Sequence, residues 1–434
     1  MTTIAPANQL PPKLSAEVSK AVGKSVGDSR HLAELRNAAS QIAEELDPPT
    51  SMERPWKYTD LSEFSLEGYE PAIRAPGVAT TTMSDARAKE SGLSALVEVT
   101  DSTPTHVERL DGFSAGCAQD EGLSDICDEH LGMLVTPGSS LFSALHYAFL
   151  SCTTAINVPA NVELDAPVKI VRRESGSGVL AAPHTMIVTG ANSRLNVIEE
   201  WHSGDGPLLV LPAVEILPGE GSQVRYTSIY RWGENTRVFS EQRTITAKDS
   251  TVTNLSVALG GSKVKSHIIS SLEGRGSHSE IQGLYVGGSE QQFDLYTIQD
   301  HIAADTTSDL LYKSALRERA HSVYYGLTKV GLEAKNADAN QENRNLLLSK
   351  TAKADSDPVL EILTHDVIRA AHGATAGPVD EEQLYYMGTR GLDPEQSEQL
   401  LVSGFLAEVL DRIPDRALRS QLGAAIGEPE EVLI

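Results

Sequence analysis

The block from residue 153 to 363 constrains this chain more than any other feature. Short runs of β-branched and aromatic residues follow one another there with almost no helical periodicity. AINVPANVELDAPVKIV, HTMIVTGANSRLNVIEEW, SQVRYTSIYRW, STVTNLSVALGG, HSEIQGLYVGG and QQFDLYTIQDH read as strands. Glycines at 219 and 221, 260 and 261, 274 and 276, and 287 and 288 punctuate the runs at irregular intervals, as turns do. Such a succession of strands can close as a sandwich, a barrel or a stacked β-solenoid. The stretch KNADANQENRNLLLSKTAKADSDPVLEI favours the solenoid. Its Asn and Asp residues alternate with small ones before Leu346, Leu347 and Leu348, as polar turns leading into a strand buried on both faces would.

Helical signals flank this block. From Asp28 to Leu46 the residues Leu32, Leu35, Ala39, Ile42 and Leu46 recur in steps of three and four, an amphipathic stripe ended by Asp47, Pro48 and Pro49. Residues 65 to 150 mix Gly, Ser, Thr and Asp with short apolar runs and yield only a helix-rich segment near 139 to 151. Past Glu361, Asp380 with Gln383, and Gly391 after Arg390, bracket a helix of about ten residues. Asp393, Pro394 and Gln396 open a second one in the same way. Leu400, Leu401, Phe405, Leu406, Val409, Leu410 and Ile413 give it an apolar face too wide for one neighbour, so it packs in a helical subdomain or presents a docking face. The expected division is a helix-rich region over 1–150, a β core over 151–365 and a helical region over 366–434.

Composition removes several function classes. With 60 acidic and 36 basic side chains the formal charge is -24, which opposes binding to nucleic-acid phosphates or an anionic membrane. The three cysteines, Cys117, Cys127 and Cys152, lack CxxC spacing and indicate neither a disulfide framework nor a zinc knuckle; a reducing cytoplasm fits them. The opening MTTIAPANQLPPKL lacks the basic start and apolar run of an export signal, and no apolar segment approaches the ~20 residues of a membrane span. A soluble cytoplasmic protein is expected. With no GxxxxGK[ST] loop in the sequence, ATP hydrolysis would have to come from another chain.

The chemistry most worth locating lies in HDVIRAAHGATAG, residues 365 to 377. His372 sits among small side chains, so it is either a hydrogen-bonded packing residue or a ligand left approachable by its neighbours. His365, Asp366 and Glu361 lie close by in sequence and could add ligands or fix the imidazole tautomer, although acidic side chains are mostly solvated.

RPWKYTDL (54 to 61), QENRNLLLS (341 to 349), PVLEI (358 to 362), HGATAG (372 to 377) and QLYYMGTRGL (383 to 392) resemble, in this order, the SufB/SufD proteins of the Suf iron-sulfur cluster assembly system. The Trp-Lys-Tyr-Thr near the start, and Gly rather than Glu after His372, look like the SufD branch. The resemblance implies a right-handed parallel β-helix flanked by helical N- and C-terminal regions. It implies a non-catalytic scaffold that pairs with a SufB-like subunit through the β-helix and binds a SufC-type ABC ATPase through its C-terminal helices. Arg390, Leu401, Phe405, Leu406 and Val409 are the candidate ATPase contacts. A nascent iron-sulfur cluster would form at the interface with the SufB-like partner, and none would be held by this chain alone. Many SufD-like proteins carry Cys two residues before the histidine, where this chain has Ala370. His372 would therefore act with thiolates from the partner, since imidazole is a minority ligand for such clusters. His301, in QDHIAADTTSDLLYKS, matches a family pattern and reads as a turn or interface residue. The resemblance leaves flavin binding by the complex open. Two alternatives stand beside it: a homodimeric scaffold, joined at the sheet edge that would otherwise take the partner, and a carbohydrate-active β-helix protein.

Overall fold

A computed structural model describes residues 10–426 apart from positions 62, 63, 76, 121 and 414, so most of the opening segment read for an export signal lies outside the described residues. The expected strands are present, and a repeated corner explains how they stack. Asn161, Asn192, Gly221, Asp249, Gly276, Asp305 and Asn336 recur every 27 to 31 residues, all with φ between 54° and 74°. Only Gly, and Asn or Asp at modest cost, adopt this left-handed backbone readily. Each backbone N–H donates to the next coil: Asn192 to Glu220, Asp249 to Arg275, Asp305 to Lys335, Asn336 to Asp366. The corner is one short pattern, seen in GANS, GEGS, AKDS, GRGS and AADT. The hydroxyls of Ser193, Ser222, Ser250 and Thr306 donate to the carbonyl three residues earlier. Its first residue is small because the coils touch there: a Cβ on Gly274 would lie 2.0 Å from the Ala247 carbonyl carbon. The turn signals are therefore periodic rather than irregular, because Asn and Asp fill the same corner as Gly.

Strands joined by these corners alternate between two 11-stranded sheets, here sheets I and II, which form a parallel β-helix. Sheet I ends with Gln292–His301, His321–Val330 and Lys353–Ile362, and sheet II with Thr307–Leu316, Ala337–Leu347 and Val367–Pro378. Coils stack in step, so Gln292, His321 and Lys353 are direct partners. The last strand extends the β core to Pro378, beyond the boundary expected at 365, because HGATAG continues the ladder of its neighbour.

The Asn/Asp stretch departs from expectation. Residues 337–347 are themselves a strand rather than turns, and Leu346 and Leu347 are only half-buried. Ala337, Ala339, Gln341, Asn343 and Asn345 face the lumen, where Thr328 Oγ1 donates to Gln341 and Ser314 Oγ to Asn345. Amides survive burial here because the coil lends them partners.

Helices cover both outer faces. α1 (Ala16–Val26), α2 (Arg30–Glu45), α3 (Asp85–Ser91), α4 (Ser124–His130) and α5 (Leu141–Ala148) precede the solenoid. α2 begins at Ser29, whose hydroxyl accepts from Leu32 N–H, and it packs with α5 against sheet I around Phe142 and Phe239, stacked at 4.0 Å. The N-terminal region is not helical throughout. Ala95–Thr100, Thr103–Arg109 and Ser114–Cys117 are strands that extend both sheets, the first with alternating burial along ALVEVT. After the solenoid come α6 (Glu381–Thr389), α7 (Pro394–Leu410) and α8 (Arg416–Ala425). Asp380 caps α6, and Asp393 with Gln396 forms the expected reciprocal box on α7. α7 and α8 bury Val402, Leu406, Val409 and Leu418 against Ile229, Leu255 and Leu311 on the outside of sheet II.

Candidate functional site

The two ends of the solenoid differ. At the first end the outermost strands are Thr81–Thr82 in sheet II and Ser114–Cys117 in sheet I, the latter turned antiparallel to its neighbour. At the last end, sheet I stops at the 10-residue Lys353–Ile362 and sheet II at the 12-residue Val367–Pro378, each with one side of its ladder open. Neither strand contains a fully buried residue; Ile362 and Ile368 within them, and Leu363 just past the first, are exposed. Proteins normally shorten or cover such edges, since free N–H and C=O groups invite another strand. Pro358 is compatible with its strand because that strand is an edge.

His372 lies on the sheet II edge opposite Gln341, which is buried in the lumen. Partners in a parallel ladder face the same way, so Ala370, His372, Ala374 and Ala376 form the lumen-side file of the last strand. With no further coil over it, His372 is exposed: an imidazole at the mouth of the solenoid among side chains too small to shield it. The other candidates do not join it. Glu361 is the partner of Lys329 and lies on the outer face with Asp355 and Asp357. His365 and Asp366 occupy the last corner, where the Asp366 carbonyl accepts from Asn336 N–H at 2.7 Å. Among the described residues no three His, Cys, Asp or Glu side chains converge on one metal position.

The family description "SUF system FeS cluster assembly, SufBD core domain" matches residues 171–405. Over 307 residues the chain is 30% identical to an iron-sulfur cluster assembly SufBD family protein of Mycobacterium leprae, covering 69% of this chain and 77% of that protein. The chain belongs to the SufB/SufD family. It is also similar to the iron-sulfur cluster assembly protein SufD of Bacillus subtilis, at 27% identity over 65% of each chain. With SufD of Escherichia coli it shares 31% over 44% of this chain and 45% of the other.

In this SufB/SufD chain the helix face expected to dock an ATPase is divided. Leu406 and Val409 are fully buried against sheet II, so packing consumes them. Phe405 is half-buried, its ring centroid 4.7 Å from Lys313 Nζ. Arg390 remains exposed, its guanidinium donating to Tyr386 Oη at 2.9 Å, and Leu401 borders the hollow between α6 and α7. Tyr385, Tyr386 and Leu400 complete the exposed apolar surface there. Sequence reasoning passed over the two tyrosines, although they stand in the QLYYMGTRGL motif.

His301 is neither a turn nor an interface residue. It is buried, its ring hydrogen-bonded at 2.8 Å to Thr306 and Ser308, and burial pulls it down to about 4. The three cysteines are buried free thiols, and burial pushes Cys127 up to about 12. All precede residue 153, far along the chain from the edge that carries His372.

The RPWKYTDL motif folds as a strap over the outside of sheet I. Trp56 wedges beside Phe142 at 5.2 Å, and Lys265, paired with Asp294 at 2.8 Å, donates to the Pro55 carbonyl. Thr59 donates to Asp294, and Lys263 donates to the Asp60 carbonyl at 2.6 Å. Between these anchors the tip, Lys57 and Tyr58, reaches Asp357 on the edge strand of sheet I at 3.2 and 3.1 Å.

Proposed function

We propose that this chain is a SufD-like, non-catalytic scaffold subunit of a Suf assembly complex. Its open end pairs with a SufB-like subunit, and the exposed α6–α7 surface seats a SufC-type ATPase, which supplies ATP hydrolysis. The observation that carries this reading is the pair of long open edges with His372 at their mouth. A partner strand added to either edge continues the ladder and brings the partner's side chains next to the imidazole. There His372 offers a neutral nitrogen donor to a nascent iron-sulfur cluster, the cargo of the complex, with the thiolates coming from the partner.

Co-expression with the SufB-like and SufC-like proteins of the same organism, followed by oxygen-free purification, tests this. The complex is expected to form with wild type and with His372→Ala, while cluster absorbance falls in the variant. Equal absorbance would make His372 a packing residue and leave the chemistry to the partner. A chain that self-associates through the same edges and ignores the SufB-like subunit would establish the homodimeric scaffold instead.

A further inference from the structure

The strap over sheet I ends at the very strand where the proposed partner adds. Glu241, His267, Tyr296, Tyr325 and Asp357 are in-step partners on five successive strands and form one outward file along the sheet. Trp56 covers it at His267, with ring centroids 5.8 Å apart, and Arg54 lies 5.0 Å from the centroid of Tyr325, itself stacked on Tyr296 at 4.7 Å. Lys57 and Tyr58 cover its last member, Asp357. Strands in a sheet are about 4.8 Å apart, so a strand joined to Lys353–Ile362 places its own side chain one such step beyond Asp357.

We propose that Lys57 and Tyr58 are part of the joint with the SufB-like subunit, lying over the first strand that subunit adds to sheet I. This rests on the docking reading above and assigns it a contact from the far end of the sequence. Both polar atoms stand within 3.2 Å of Asp357, the member of the file next to which the partner side chain is added. Lys57 Nζ donates to Asp357 and, at 2.6 Å, to Tyr58 Oη, which uses two of its three N–H groups. Its side chain is 52% exposed. The third N–H suits a partner residue with an acceptor at this step: a carboxylate, an amide or a hydroxyl. The buried Lys265–Asp294 pair and Trp56 hold the base of the strap, so the tip is ordered before the partner arrives and little freedom is lost on contact.

Two measurements on the full-length chain with the purified SufB-like subunit test the proposal. In hydrogen exchange on wild type, residues 54–61 are expected to gain protection together with 353–362 when the complex forms. In titrations, Lys57→Met and Tyr58→Ala are each expected to weaken binding about tenfold, the scale of losing a hydrogen bond to a charged group. Protection of 353–362 with an unchanged strap, or wild-type affinity in both variants, would overturn the proposal and leave the strap as an internal clamp. If 353–362 gains no protection, or wild type forms no complex, the docking reading fails first and this inference with it.

Discussion

Glu174 offers a pH-resolved measurement of how firmly the first coils are sealed. It ends the strand Val168–Glu174, is 3% exposed, and accepts from Ser102 N–H at 3.2 Å. Burial, with the like charge of Asp101, pushes its carboxyl up to about 7 from 4.5, against the opposing pull of Ser102 and Arg172. A carboxyl raised in this way binds its proton more tightly folded than unfolded. Ionisation therefore opposes folding: the cost is absent below pH 4.5, grows from there to pH 7 and is constant above. Raising the carboxyl from 4.5 to about 7 corresponds to about 3 kcal/mol above pH 7, about 2 kcal/mol at pH 6 and under about 1 kcal/mol at pH 5. Glu174→Gln keeps an acceptor for Ser102 but buries amide N–H groups in the carboxylate's place, at about 1 kcal/mol. The variant should gain about 2 kcal/mol at pH 8, about 1 kcal/mol at pH 6 and almost nothing at pH 5. Urea unfolding of both proteins at the three values reads this difference directly. A gain that does not change with pH, or a variant less stable than wild type at pH 8, would refute the reasoning.

Two further pairs of substitutions separate backbone and packing roles from docking. Asn336 sits at φ 57° and donates through Nδ2 to Asp305 at 2.9 Å; Asn336→Gly should stay near wild type while Asn336→Val loses about 1–3 kcal/mol, read from thermal midpoints. Equal losses in both would show that the side-chain bond, not the backbone, matters there. Leu406→Ala should cost about 2–5 kcal/mol of stability, whereas Leu401→Ala should leave the unfolding midpoint in place and weaken ATPase binding in a pull-down. The reverse pattern would invert the division of the α7 face.

Much of the architecture was readable because local rules carry it. Asp393 and Gln396 cap α7 through contacts that span only three residues, and the strands announce themselves by composition. The corner repeat escaped because its key position accepts Asn, Asp or Gly at a spacing that drifts between 27 and 31 residues. Glycine alone marks two of those seven corners, so counting glycines hides the period. Gln341, Asn343 and Asn345 read as turn residues because nothing local reveals the neighbouring coils that satisfy them. The split of α7 was likewise invisible: Leu401 and Leu406 are equally apolar, and only the position of sheet II decides which is buried. For the site, the small neighbours in HDVIRAAHGATAG singled out His372 and the resemblance suggested its role, while its lumen-side placement follows from register with Gln341. Lys57 and Tyr58 meet Asp357 across three hundred residues, a pairing that spacing cannot encode.

The unequal ends of the solenoid also bear on the stoichiometry of the proposed docking. Exposed strand edges become filaments when each addition leaves a fresh edge of the same kind. Among the described residues the opposite end offers outermost strands of only two and four residues, with a change of direction in sheet I, a poorer template for a further strand. On the docking proposed above, two such rods meeting mouth to mouth would form a bar that is blunt at both tips, and assembly through this joint would stop at a pair.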